Sequence, residues 1–261
     1  MPKRVSSFIA VFVTAGLLLS GCGSSKKQAA TTTTLAVTGN ITVFAATSLT
    51  NAFTEIGKDF EAKYPGAKVT FNFAATSDLV RQIEAGGAAD VFASADAKNM
   101  QTLTTESKVG ASAVFAHNRL VIATKPGNPT KIAALADLAN AAVVSLCAAE
   151  VPCGAYAAQA LTKANVTIPE AHVTRGQNVA ATLTAVTDGD AVAAIVYATD
   201  AQAKAAAVST VAIPDAQNVL ADYPIAITKT STQRATALAF ASFVRGPSGR
   251  AVLKRLGFIT A

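Results

Sequence analysis

Residues 41–49 read ITVFAATSL, and this stretch decides the fold. Its first half is β-branched and apolar, which predicts a buried strand, and the apolar spacing that follows predicts a helix over 49–64. The same order of strand and then helix recurs along the chain at 68–73 and 78–84, 143–146 and 156–164, and 172–174 and 180–187. Such alternation predicts an α/β protein with mixed, mostly parallel sheets flanked by helices.

Four junctions between a strand and the next helix carry small or polar residues. They are FAATS at 44–48, FAATS at 73–77, PCG at 152–154 and GQNV at 176–179. In open α/β sheets ligands bind beyond the carboxyl ends of the strands, and helix N-termini favour anions. Because Ser and Thr are also ordinary N-caps, only convergence of these junctions on one cleft would define a site.

The N-terminus resembles an export signal. Two basic residues precede an apolar run over 8–19, which predicts a signal peptide over 1–21. The sequence LSGC that ends at Cys22 resembles the lipobox of bacterial lipoproteins, so we expect a lipid on Cys22 and anchoring at the outer face of the cell membrane. The alternative is an ordinary signal peptide with an incidental Cys. Residues 22–40 are rich in Ser, Thr and Ala, which predicts a flexible tether.

Composition excludes two classes of protein. The chain has 261 residues, of which 51% are hydrophobic, too many for a disordered protein. Removing the two basic residues of the leader leaves 20 Lys and Arg against 16 Asp and Glu, a surplus of +4. This small surplus is spread along the chain, so we expect no binding of nucleic acid.

Two cysteines remain in the exported body, Cys147 and Cys153. In an oxidising compartment a close pair is interpreted first as a disulfide, with two buried thiols as the alternative. The two histidines, His117 and His172, lie far away in sequence, so we expect no metal site.

Several motifs together resemble the molybdate-binding proteins of bacterial ABC importers. The resemblance runs in order over 41–259 and rests on FAATSL at 44–49, FAATS at 73–77, RQIEAG at 81–86, ADVFASAD at 89–96, VPCG at 151–154, AIVYATDA at 194–201, FVRGP at 243–247 and LGF at 256–258.

The resemblance implies a two-lobed, type II periplasmic-binding-protein-like fold. Lobe one would comprise 41–122 and 223–261 and lobe two 123–222, with chain crossings near 120–123 and 223–227. It further implies a monomer that binds molybdate and also tungstate, passes it to the permease and ATPase of an importer, uses no cofactor and is no enzyme.

The resemblance also implies a ligand set. Ser48, Thr76 and Tyr197 would donate from hydroxyl groups, and Cys153 and Val179 from backbone N–H groups. Thr76 stands where the family usually has Ser, and Cys153 replaces a small residue. An Arg that often follows the Val in this family is absent here, because the chain reads NVA at 178–180.

Two alternatives stay open. A donor-only site rejects monohydrogen phosphate, whose proton would find no acceptor, but it does not separate molybdate from sulfate, so a lipoprotein for sulfate or another small oxyanion remains. A secreted serine hydrolase is the second alternative, although no Gly-x-Ser-x-Gly motif occurs. Asp90 and Asp96 could be paired carboxylates for acid–base work, but we expect them to cap or salt-bridge the following helix.

Overall fold

The computed structural model of the protein describes residues 36–261. The predicted signal peptide at 1–21, Cys22 and the tether up to residue 35 lie outside the described residues. Within 36–261, no helix is long and apolar enough to cross a membrane.

The described residues alternate strands and helices. The strands are β1 (Gly39–Ala46), β2 (Ala67–Ala74), β3 (Val91–Ala93), β4 (Ala113–Asn118), β5 (Leu120–Thr124), β6 (Val144–Cys147), β7 (Val173–Gly176), β8 (Ala193–Tyr197), β9 (Ser209–Ala212), β10 (Ala221–Ile227) and β11 (Ile259–Thr260). The helices are α1 (Thr50–Lys63), α2 (Thr76–Glu84), α3 (Ala97–Thr105), α4 (Pro152–Lys163), α5 (Val179–Thr187), α6 (Ala198–Ala203), α7 (Arg234–Arg245) and α8 (Pro247–Arg255). Short 3₁₀ turns lie at Thr47–Leu49, Leu135–Asn140 and Glu170–His172.

Two mixed sheets organise these strands. The first has the order β11-β4-β10-β3-β1-β2 and the second β7-β6-β8-β5-β9. Pairing is parallel among β1, β2 and β3 and among β6, β7 and β8, and antiparallel elsewhere. The predicted α/β class with mixed sheets is confirmed. Most strands of each sheet run in one direction, and β10 and β11 in the first sheet and β5 in the second run opposite to it.

The chain changes sheet twice. β4 belongs to the first sheet, and β5 follows it in the second sheet after Arg119 alone. The chain returns between β9 and β10. The expected crossings near 120–123 and 223–227 fall inside β5 and β10, which are paired along their length, so the sheets part slightly earlier in the chain. The division into lobes itself remains a prediction.

A cluster of aromatic side chains fixes α1 and α7 on the first sheet. Phe240 of α7 packs edge to face on Phe53 and Phe60 of α1, with ring centroids 6.0 and 5.3 Å apart. Phe71 of β2 joins the same cluster. Since Phe53 and Phe60 are completely buried, the cluster holds α1, and with it the turn before α1, in a fixed position.

Candidate functional site

The carboxyl ends of the parallel strands in both sheets lead to one place. β1 ends at Ala46 and β2 at Ala74 in the first sheet, and β6 ends at Cys147 and β8 at Tyr197 in the second. Helices α1, α2, α4 and α5 begin there, α1 after the turn Thr47–Leu49. Helix α5, which follows a strand of the second sheet, contacts that turn of the first.

A small cavity lies where these elements meet, with about 210 Å³ of space between the atoms when the part open to solvent is included. Its lining residues come from the helix starts and from the ends of strands, and they are Ala46, Thr47, Ser48, Ala75, Thr76, Ala95, Val151, Pro152, Cys153, Asn178, Val179 and Tyr197. The structure therefore brings together all five positions named from the sequence, Ser48, Thr76, Cys153, Val179 and Tyr197. All four junctions converge on the cavity.

The lining of the cavity carries no Lys, Arg, His, Asp or Glu. Its positive potential comes instead from four helix N-termini, each equivalent to roughly +0.5 of a charge and together to about +2. The first backbone N–H groups of a helix have no acceptor within the helix, so they are available to a ligand. This arrangement suits an anion with two negative charges.

Thr76, the first residue of α2, is 1% exposed. Its hydroxyl oxygen accepts a hydrogen bond from the backbone N–H of Ala95, at 3.2 Å. Because one lone pair of Oγ1 is thereby used, the hydroxyl proton remains free to be donated. Thr76 is therefore a donor toward the cavity, which it helps to line.

Tyr197 is the last residue of β8 and is 1% exposed. Within 36–261 its hydroxyl group has no hydrogen-bond partner, although an unpaired buried hydroxyl is costly. Burial raises the pKa of the Tyr197 phenol well above its usual range, so the group stays protonated and can donate. The hydroxyl of Thr47 is likewise buried without a partner among the described residues. Thr47 also lines the cavity but is not predicted as a site residue from the sequence, because the resemblance assigns the ligand role in this motif to Ser48.

Ser48 lies in the turn that precedes α1. Its Oγ is 2.9 Å from the hydroxyl oxygen of Tyr223, a residue of β10 that is completely buried. Tyr223 does not line the cavity but lies directly behind Ser48. The sequence contains no signal for this contact, which joins residues 175 positions apart.

Cys153 and Val179, which would bind through backbone N–H groups, are each fixed in place by a contact of their own helix start. A disulfide joins Cys153, in the first turn of α4, to Cys147 at the end of β6. The predicted disulfide is thus confirmed against the alternative of two thiols.

Val179 is the first residue of α5, and Asn178 is the N-cap of that helix. The side-chain oxygen of Asn178 accepts a hydrogen bond from the backbone N–H of Ala181 at 2.9 Å. An Asn before an apolar helix is a recognisable N-cap signal, yet sequence reasoning did not use it.

Asp90 and Asp96 are not an acid–base pair of this cavity. Asp96 caps α3, accepting from the backbone N–H of Asn99 at 2.9 Å, as expected. The expectation that Asp90 serves a helix is wrong, because its carboxylate accepts from the N–H of Thr42 and from the hydroxyl of Ser231. Both carboxylates have their hydrogen-bond partners outside the cavity.

Comparison with known proteins identifies the family of the chain. Residues 41–259 match the family described as bacterial extracellular solute-binding protein. The chain is 35% identical to the molybdate-binding protein ModA of Mycobacterium tuberculosis, over 97% of this chain and 96% of that protein. It is 32% identical to the protein of the same name from Escherichia coli, over 86% and 90% of the two chains. A relative from Bacillus subtilis, 29% identical over 99% of both chains, is named a putative ABC transporter substrate-binding lipoprotein.

Two solved structures share the fold. The periplasmic molybdate-binding protein of Azotobacter vinelandii superposes with a TM-score of 0.75 at 22% identity, covering 84% of this chain and 98% of that one. The sulfate-binding protein SubI of Mycobacterium tuberculosis superposes with a TM-score of 0.77 at 20% identity, covering 84% and 86%. Fold and cavity thus define a solute-binding protein of the type II periplasmic class. The chain belongs to the bacterial extracellular solute-binding proteins.

Proposed function

We propose that this protein captures molybdate, and also tungstate, in the cavity between its two sheets and delivers it to the permease of an ABC importer. The observation that carries the proposal is the convergence of Ser48, Thr76, Cys153, Val179 and Tyr197 on one cavity without charged side chains. Relatives named as molybdate-binding proteins, at 35% and 32% identity over most of the chain, support the choice of ligand.

Hydrogen-bond donors alone account for the chemistry. Each hydrogen bond to a charged acceptor contributes roughly 1.5–3 kcal/mol, so several converging donors offset the cost of association. A fully deprotonated tetrahedral dianion uses every donor. Monohydrogen phosphate carries a proton on one oxygen, which would face a donor of the cavity with a second proton, so it should bind more weakly than a fully deprotonated dianion.

We further propose that the ligand draws two lobes together. The lobes would be 41–122 with 223–261, and 123–222, and the contact between α5 and the turn Thr47–Leu49 supports closure over the cavity. Ligand that touches both lobes favours the closed form by mass action. The closed monomer then docks on the permease, whose ATPase drives transport.

We propose that the protein is no enzyme and works at the outer face of the cell membrane, tethered by a lipid on Cys22. The name of the relative from Bacillus subtilis, a lipoprotein, supports this location. Metabolic labelling with a radioactive fatty acid should label the native chain, and Cys22→Ala should abolish the label.

Calorimetric titration of the purified chain tests the ligand. Molybdate and tungstate should bind tightly with one ion per chain, sulfate far more weakly and phosphate weakest. Elemental analysis of the protein as purified from cells grown with molybdate should find Mo or W. Sulfate binding as tight as that of molybdate would replace the proposal by a sulfate-binding lipoprotein.

A further inference from the structure

A chain of hydrogen bonds runs behind the cavity from the first sheet crossing to Ser48. Asn118, the last residue of β4, donates from its side-chain Nδ2 to the hydroxyl of Tyr223 at 3.4 Å. The hydroxyl of Tyr223 is in turn 2.9 Å from Oγ of Ser48. Asn118 and Tyr223 are 1% and 0% exposed, so both side chains are shielded from bulk water.

The orientation of the Asn118 amide is fixed by its other partners. Its Oδ1 accepts from the backbone N–H of Arg119 at 2.9 Å. Its Nδ2 also donates to the hydroxyl oxygen of Thr199 at 2.8 Å. The amide nitrogen, which can only donate, therefore faces the hydroxyl of Tyr223.

This orientation decides which way the remaining protons point. The hydroxyl proton of Tyr223 needs an acceptor, because burial keeps the phenol protonated by raising its pKa. The hydroxyl of Tyr197 also lies beside that of Tyr223. Asn118 offers only N–H donors, and Oγ of Ser48, at 2.9 Å, is the hydroxyl oxygen with good hydrogen-bond geometry, so Ser48 is the acceptor. With one lone pair of its Oγ used by Tyr223, Ser48 has its own proton free for the cavity that it lines.

We infer that Tyr223, held by Asn118, is a positioning residue that makes Ser48 a hydrogen-bond donor to the bound oxyanion. This inference rests on the proposed function and adds to it a cause of selectivity. A Ser hydroxyl free to rotate could accept the proton of monohydrogen phosphate, whereas one committed to accept from Tyr223 presents its proton instead.

The variant Tyr223→Phe tests the inference, since it removes the hydroxyl and keeps the ring that packs on Phe115 and Phe258. Tyr64→Phe is the matched control, because Tyr64 lies at the far end of α1 and does not line the cavity. In calorimetric titrations at neutral pH, Tyr223→Phe should raise the Kd for molybdate by about tenfold. The ratio of phosphate Kd to molybdate Kd should shrink by a larger factor than in the control.

If the hydrogen bond between Ser48 and Tyr223 runs in the opposite direction, Tyr223→Phe has the opposite effect on the Kd for molybdate. If Ser48 donated to Tyr223, the variant would release the Ser48 proton and molybdate would bind equally well or more tightly. Either of those outcomes, or an unchanged ratio of the two Kd values, overturns the inference while leaving the proposed function intact.

A measurement without ligand separates the two proposals further. In urea unfolding of the ligand-free chain, Ser48→Ala should destabilise the native protein, since it leaves the buried Tyr223 proton without an acceptor. The same change should cost clearly less in the Tyr223→Phe background. Absence of that difference refutes the inference even if native protein binds no oxyanion, which by itself would refute only the proposed function.

Discussion

The side chain of Asn218 is hydrogen-bonded to both backbone polar groups of Leu120. Its Nδ2 donates to the carbonyl oxygen of Leu120 at 2.9 Å, and its Oδ1 accepts from the N–H of Leu120 at 3.1 Å. Asn218 lies in the segment that returns the chain to the first sheet, and Leu120 follows the outgoing crossing. The buried amide therefore fastens the two crossings to each other.

Replacing Asn218 should loosen this junction. Asn218→Ala leaves buried backbone groups of Leu120 without partners, so we expect the free energy of unfolding to fall by about 2–3 kcal/mol. Urea unfolding at pH 7 followed by circular dichroism measures it. The exposed residue Asn140 provides the control, and Asn140→Ala should change stability by less than about 0.5 kcal/mol. Equal effects of the two variants would show that the amide contributes nothing.

The sequence predicts most accurately the bounds of strands in which every residue is buried. Strands at 91–93 and 193–197 have the same bounds in the structure, and every residue of both is buried. Helix α3 is expected only as a helix of unstated bounds after Phe92, and strand β4 is not predicted. The reason for α3 is its composition, because only Met100 and Leu103 are buried in a helix that otherwise consists mainly of polar residues. Its apolar face is too narrow for a clear helical period.

Some residues of the candidate site can be predicted from the sequence and others cannot. Its lining residues can be predicted because they stand at strand-to-helix junctions within contiguous motifs. Asn118 and Tyr223 cannot, since their hydrogen bond joins positions 105 residues apart and depends on the antiparallel pairing of β4 with β10. No local pattern in the sequence encodes that pairing.

The disulfide should matter for both stability and binding. In the double variant Cys147→Ala with Cys153→Ala, loss of the short cross-link should lower the free energy of unfolding by about 2 kcal/mol. Because Cys153 lies in the first turn of α4 against the cavity, the Kd for molybdate should also rise. Urea unfolding and calorimetry measure the two effects. A reducing agent should reproduce both in the native chain and neither in the variant, and any other pattern argues against the bridge.

Asp200 should make stability depend on pH. Burial raises the pKa of this α6 carboxyl to about 7, whereas in the unfolded chain it is about 4. Between these values the folded state keeps a proton that the unfolded state has lost. The contribution of this group therefore falls as pH rises through that window, by up to about 1.4 kcal/mol for each pH unit, and levels off above pH 7.

The variant Asp200→Asn isolates this effect. It should flatten the decline of stability between pH 4 and pH 7 and make the chain more stable than the native protein at pH 8. Asp59, which is exposed on α1, gives the control, since Asp59→Asn should leave the native profile in place. Thermal unfolding measured across the pH range compares the three proteins. Parallel profiles for native chain and Asp200→Asn would contradict the prediction.

Gly154 is required by the close approach of α4 to the end of β6. A Cβ atom at this position would lie 2.0 Å from the carbonyl oxygen of Ala148, a backbone atom that cannot move alone. Gly154→Ala should therefore shift the start of α4, lower the melting temperature and weaken molybdate binding. At Gly110 the nearest atom to such a Cβ is 3.6 Å away, so Gly110→Ala should leave both quantities unchanged. If Gly154→Ala behaves like that control, the contact is not a constraint.

The unpartnered hydroxyl of Tyr197 predicts opposite effects on stability and on binding. Within 36–261 this buried group has no hydrogen-bond partner, so Tyr197→Phe removes a desolvated hydroxyl at no loss of contacts and should not destabilise the ligand-free chain. The same change deletes a donor to the oxyanion and should weaken binding of molybdate by roughly 1.5–3 kcal/mol. Calorimetry and thermal unfolding of the ligand-free protein measure the pair, with Tyr64→Phe as control. A loss of stability equal to the loss of affinity would mean that Tyr197 supports the fold and not the ligand, and an unchanged Kd would remove it from the site.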